Sequence, residues 1–150
     1  MPSNAAMRIA IYDLDRTLTR RATFTPFLIF AARRVASWRL TLLPLWLFAM
    51  LAYRLGAMSR ARLKLYGMQL LVGRRAHNEL EALGSQFAVR VMDEDGLMPG
   101  TLHLLEEDRK AGARLILATA AFDIYAKAFA SALRFDEVVA TRWKGLERVP

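Results

Sequence analysis

The sequence predicts an α/β protein: a parallel sheet of about three strands, assembled from two separated pieces of chain, with an all-helical insertion between them. Three observations predict it. Short apolar runs at Met7–Tyr12, Ala113–Thr119 and Glu137–Thr141 have the length and composition of buried strands. Helical patterns alternate with the last two, the arrangement that sets parallel strands side by side beneath helices. The stretch between the first run and the second carries only helical periodicity. The core is therefore expected to comprise residues 1–20 and 97–150, and the insertion residues 21–96.

The elements follow in order. MRIAIY is a strand that runs into Asp13-Leu14-Asp15. Thr25-Pro26 reads as an N-cap followed by Pro at the first helical position, opening a helix through about Trp38. Pro44 starts or kinks a second helix that stops near Gly56. Ser59 can cap a third, ending at Gly73, and a fourth runs from about His77 to Val91. Asp93-Glu94-Asp95-Gly96 is a turn. Pro99-Gly100 introduces a helix with Met98, Leu102 and Leu105 on one face, closed by Gly112. ARLILAT is the second strand, and a helix follows over Asp123–Leu133 with Ile124, Ala128 and Phe129 inward. EVVAT is the third strand. The expected strand order is 3-2-1, with the first strand at an open edge.

Composition narrows the chemistry. The 150 residues contain no cysteine, which excludes disulfides, thiolate metal sites and Cys nucleophiles. MPSNAAMRIAIYDLD meets acidic residues too early to read as a secretion signal. The longest uncharged run, Leu40–Tyr53, would span about 21 Å as a helix, short of a hydrocarbon core of about 30 Å. A buried or interfacial helix is the better reading. The net charge of +8 is unevenly placed. Twelve basic residues and no Asp or Glu lie between Arg16 and Arg75, a pattern that favours an anionic partner for that section.

Asp13-Leu14-Asp15-Arg16-Thr17 sits where the first strand should end. In parallel α/β sheets, ligands and chemistry collect at the carboxyl ends of strands. Two carboxylates there could hold Mg²⁺, a hard ion satisfied by one or two carboxylates plus substrate oxygens and water. Taken alone, the same residues could equally be an acidic turn that caps the next element.

The wider pattern resembles a known family. IYDLDRTLT is similar to the first signature of the haloacid dehalogenase superfamily, an apolar strand running into D-x-D-x-[TV]-[LV]. LILAT, ending at Thr119, resembles its second signature, and MPGTLHLLEEDRKAGARL resembles the helix-then-strand unit that precedes it. Arg16 and TRRATFTPFL look closest to the subfamily IB hydrolases, which include phosphoserine-phosphatase-like enzymes and some phospholipid phosphatases. The resemblance implies a Rossmann-like core and a helical cap. It also implies Mg²⁺-dependent phosphomonoester hydrolysis through an aspartyl-phosphate. Asp13 would be the nucleophile and a metal ligand, Asp15 the general acid and base and a metal ligand through its main-chain carbonyl, and Thr119 a donor to the phosphoryl group. Thr17 and Thr19 are expected to shape the turn.

The family pattern has two further parts, a Lys and a later acidic motif. Lys127 lies within a helix and Lys144 falls early for the first part; none of Asp123, Asp136, Glu137 or Glu147 follows a further strand, as the second requires. The expectation is an N-terminal portion of a longer hydrolase, since ERVP closes on neither a helix nor a polar tail, with a shortened relative as the competing explanation. Catalysis by these residues alone would then be weak or absent.

The basic, apolar insertion admits three readings: a helical cap with solvated arginines, a cap resting on an anionic membrane surface and admitting a lipid phosphate, or a nucleic-acid surface. The last fits least, because nucleic-acid surfaces are seldom this apolar. His77 and His103 each stand alone and read as surface or capping residues. Trp38 and Trp46 read as core or interfacial anchors. The substrate expected is a phosphorylated small molecule or a phospholipid, and the location is cytoplasmic, at the inner face of the membrane if peripheral. The rival function is a catalytically silent membrane-surface or interaction module.

Overall fold

In the computed structural model, which describes residues 6–145, the apolar run before Asp13 is an extended strand, β1 (Ile9–Tyr12). Two further parallel strands, β2 (Arg114–Phe122) and β3 (Glu137–Thr141), complete one sheet ordered β1-β2-β3. Tyr12 pairs with Leu117, and Leu117 with Val138. The alternation of a strand sorts its side chains between two faces. Leu115, Leu117 and Ala121 are buried, whereas Ile9 and Ile11 of the edge strand are 51% and 66% exposed. Among the described residues β1 stands at the sheet edge, as expected from the sequence, and carries exposed apolar side chains.

The chain divides into two compact units. One contains the chain through Thr23 together with Gly84–Trp143, and the other contains Phe24–Leu83. The first holds the sheet, α5 (Pro99–Lys110) and α6 (Asp123–Ala132). Arg109 joins these two helices, donating to the Leu133 carbonyl at 2.6 Å. Tyr12 donates to Asp108 of α5 at 2.6 Å, and its ring meets Phe135 edge-on. Helix α4 (His77–Asp93) straddles the division at Gly84. From there on it belongs with the sheet, because a Cβ at Gly84 would stand 1.9 Å from the Ile124 carbonyl oxygen. The insertion boundary expected from the sequence, at 96, falls just after this helix.

Tyr12 provides a pH-dependent term. Burial, with the Asp108 carboxylate beside the hydroxyl, pushes its pKa up to about 12. The folded chain then keeps a proton that the unfolded chain releases near pH 10, so stability falls as pH rises from about 10 to 12. Urea titrations across that window should show a shallower fall for Tyr12→Phe than for the unaltered protein. The remaining slope belongs in part to Tyr125, whose burial shifts it in the same direction.

The helical unit begins with α1 (Phe24–Val35), one residue ahead of the expected N-cap, so that Pro26 occupies the third position of the first turn, where no amide donor is needed. The helix stops at Val35 rather than Trp38, because Ala36 leaves helical geometry (φ −164°, ψ 79°) and a 3₁₀ segment over Ser37–Leu42 follows. Then come α2 (Leu43–Arg54) and α3 (Arg60–Gly67), the latter capped by Ser59 Oγ accepting from the Arg62 amide. A wider turn over Met68–Val72 ends at Gly73, whose φ of +75° suits glycine. Arg39 closes that end, donating to the carbonyls of Gln69 and Leu70. Trp46 is the centre of this unit. Its indole donates to Thr25 Oγ1 at 3.3 Å and its ring lies against Gly67, where a Cβ would come within 2.7 Å.

Candidate active site

The site grows from the end of β1. Immediately after Tyr12 the chain winds into one wide turn, Leu14–Leu18, anchored by the fully buried side chains of Leu14 and Leu18. Burying those two leucines leaves Asp13 and Arg16 on the outside of the turn, with Asp15 and Thr17 half-buried. Arg16 takes the left-handed conformation (φ 58°), and the Thr19 amide closes the turn on the Leu14 carbonyl at 3.0 Å. Thr19 shapes this turn as expected: its hydroxyl lies 2.7 Å from the Arg21 carbonyl and accepts from the Arg16 amide. Beyond it, Arg20 donates to the Gly96 carbonyl and Met98 to the Leu18 carbonyl, so the outgoing and returning chain run antiparallel beside the site.

Asp13 is exposed, and its Oδ1 accepts from the Leu14 amide at 2.7 Å. That bond is the capping role the sequence left open, and it occupies only one of the two oxygens. Asp15 is held differently. Its Oδ1 accepts from the Thr23 amide at 2.9 Å and the Thr23 hydroxyl at 2.5 Å. The Thr23 oxygen in turn lies 3.0 Å from the Tyr125 hydroxyl. Since the single Thr23 proton is directed at the carboxylate, the Tyr125 phenol supplies the proton for the second bond. Tyr125 is fully buried against Phe87, which pushes its pKa up and keeps it a donor at neutral pH. Sequence reasoning missed both Thr23 and Tyr125.

Thr119 lies on β2 past Leu117, the partner of β1's last residue, and therefore in the part of β2 that flanks the Asp13 turn. The sequence ended this strand at Thr119; the strand continues to Phe122, with a register shift between Ala118 and Phe122 that interrupts its pairing with β3. Thr119 Oγ1 accepts from the Ala121 amide at 3.1 Å, which leaves its proton available. The three residues drawn from two distant motifs thus share one end of the sheet.

The other acids have structural partners. Asp123 is buried at the start of α6 and accepts from the Trp143 amide at 3.0 Å, with Lys127 Nζ 3.9 Å away. Asp136 accepts from the Leu115 amide, and Glu137 pairs with Arg114. His77 and His103 each meet a glutamate one helical turn on, as surface residues do. Glu147 and the ERVP end lie outside the described residues. Among the described residues no group of three or more His, Asp or Glu gathers as a metal cage. Asp13 nonetheless keeps one carboxylate oxygen clear of protein donors among the described residues, a hard donor of the kind that Mg²⁺ takes together with a main-chain carbonyl, phosphate and water.

A family model described as haloacid dehalogenase-like hydrolase matches residues 10–150. The chain belongs to the haloacid dehalogenase-like hydrolase family. No curated protein sequence matches it. Solved structures share the fold of this hydrolase-family chain. A protein of unknown function from Bordetella pertussis Tohama I is 23% identical with a TM-score of 0.77, over 91% of this chain and 60% of that one. A family hydrolase from Salmonella enterica serovar Typhi is 14% identical with a TM-score of 0.61, over 89% and 40%. A phosphoserine phosphatase, solved as a phospho-aspartyl intermediate analogue, is 15% identical with a TM-score of 0.54, over 91% and 56%. The haloacid dehalogenase-like chain therefore spans about two fifths to three fifths of the length of these structures.

Proposed function

We propose that this chain carries the nucleophile half of a Mg²⁺-dependent phosphomonoester hydrolase that works through an aspartyl-phosphate on a small or lipid-linked phosphate. The observation that carries the reading is the contrast between the two aspartates. Asp13 presents an exposed carboxylate with one oxygen uncommitted, while Asp15 is held by Thr23 with its other oxygen free. A nucleophile must be accessible, and a general acid must be held in place.

In this reading the Asp13 oxygen attacks phosphorus and the bond to the leaving oxygen breaks. Asp15, protonated, gives its proton to that oxygen and becomes a carboxylate. It then takes a proton from water as the water oxygen attacks phosphorus, and the bond to Asp13 breaks to release phosphate. Thr119 donates its hydroxyl proton to a phosphoryl oxygen throughout. Mg²⁺, held by the Asp13 carboxylate and the Asp15 main-chain carbonyl, would offset repulsion between phosphate and carboxylate. Residues 21–96 would act as the cap that selects the substrate.

Thr23 is a positioning residue, and its substitution tests the arrangement. In the longest form of the protein that turns over, Thr23→Ala should lower kcat about tenfold with little change in KM, and Thr23→Ser, which keeps the hydroxyl, should restore most of it. The loss should be larger for an alkyl phosphate, whose leaving group needs a proton, than for p-nitrophenyl phosphate. Equal losses on the two substrates would detach Thr23 from the acid and leave it a structural residue.

A further inference from the structure

We infer that α2 is a membrane-surface docking element, seating its outward face in the interfacial region of an anionic bilayer. On an ordinary surface helix the face turned from the core is polar. Here it is not. Trp46 and Ala49 point inward and are buried, while Pro44, Phe48, Leu51 and Leu55 follow one another along the opposite side at helical spacing. Leu45 and Leu47 widen that side, and Phe48 and Leu55 are 69% and 76% exposed. Within α2 the one charged residue is Arg54, at its last position.

The surroundings select the partner. Trp38, in the 3₁₀ segment just before α2, is exposed with the Arg39 guanidinium 5.0 Å over its ring. An amphipathic indole at the rim of an apolar face is the side chain that bilayer interfaces favour. Arg33, Arg34, Arg60 and Arg62 are exposed at the ends of the neighbouring helices, and the sequence has no acidic residue from Arg16 through Asn78. Apolar area accompanied by exposed cations and no acidic residue complements a lipid surface of negative charge. At 12 residues α2 is about 18 Å long, too short to span, and no helix among the described residues is long and apolar enough to cross a membrane. Lying in the plane of the interface is the geometry that remains.

The test is co-sedimentation of the full chain with vesicles of phosphatidylcholine alone and of phosphatidylcholine mixed with phosphatidylglycerol, whose negative surface charge attracts basic segments. The expected result is binding to the anionic vesicles only, weakened about tenfold or more by Phe48→Glu with Leu51→Glu. Both positions are exposed, so the double variant should keep the helical circular dichroism and melting temperature of the parent. Arg60→Glu with Arg62→Glu, which leaves the apolar face intact, should weaken binding as well. No binding to anionic vesicles, equal binding to neutral ones, or binding untouched by the Phe48/Leu51 variant would overturn the inference. So would a dimer in sedimentation velocity that the same variant dissociates, which would assign the face to a second copy of the chain. The readout is binding rather than turnover, so its failure leaves the hydrolase reading standing.

Discussion

Asp13→Asn should reduce Mg²⁺-dependent hydrolysis of p-nitrophenyl phosphate by about a thousandfold or more, measured on the longest form of the protein that turns over. The substitution is nearly isosteric. The amide oxygen of Asn can still accept from the Leu14 amide, as Asp13 Oδ1 does at 2.7 Å, so the turn should persist and the melting temperature should hardly move. What disappears is the anionic oxygen that attacks phosphorus in the proposed reaction. Asp15→Asn separates the two roles. With p-nitrophenolate as leaving group the first step needs no proton, so phosphorylation of Asp13 should survive while release from Asp13 slows, and phosphoenzyme should accumulate under acid quench. Undiminished turnover by Asp13→Asn would remove the assigned nucleophile, and with it the proposed reaction.

The second large effect concerns stability. Gly84→Ala should cost about 3 kcal/mol in urea unfolding, near the upper end of what overpacking does. The added methyl would meet backbone on the opposing helix, the Ile124 carbonyl at 1.9 and 2.6 Å and Tyr125 Cα at 3.0 Å, and backbone cannot rotate aside. Because Tyr125 also supports Thr23, and Thr23 holds Asp15, the strain falls close to the proposed general acid. Gly100→Ala is the control. Nothing lies within 4 Å of its Cβ position, so the same change in α5 should be neutral or stabilising by about 0.5–1 kcal/mol through helix propensity. Equal effects at the two glycines would mean that α4 does not sit on α6 this closely.

The candidate site was partly legible. Asp13 and Asp15 are two residues apart and follow an apolar run, so their shared position at a strand end can be read locally. Thr119 is marked in the same way by LILAT. Thr23 and Tyr125 carry no such mark. Thr23 meets Asp15 across eight residues that turn back on themselves, and Tyr125 meets Thr23 across 102. Neither pair lies within one helix or strand, so local periodicity does not bring its members together, and a Thr next to an aromatic-rich helix reads as an ordinary cap.

The sequence alone determined the strand runs, the turn residues, the carboxylate pair and the concentration of positive charge, because each is written in neighbouring residues or in simple periodicity. Only the tertiary structure decided which side of LPLWLFAML faces inward. With no polar residue in that run to mark an outer face, hydrophobic periodicity is silent. The choice was made by shape, when the indole of Trp46 settled over Gly67 and left Phe48 and Leu51 to the outside. The same packing separates two tryptophans that composition treats alike, Trp46 at 1% exposure and Trp38 at 62%.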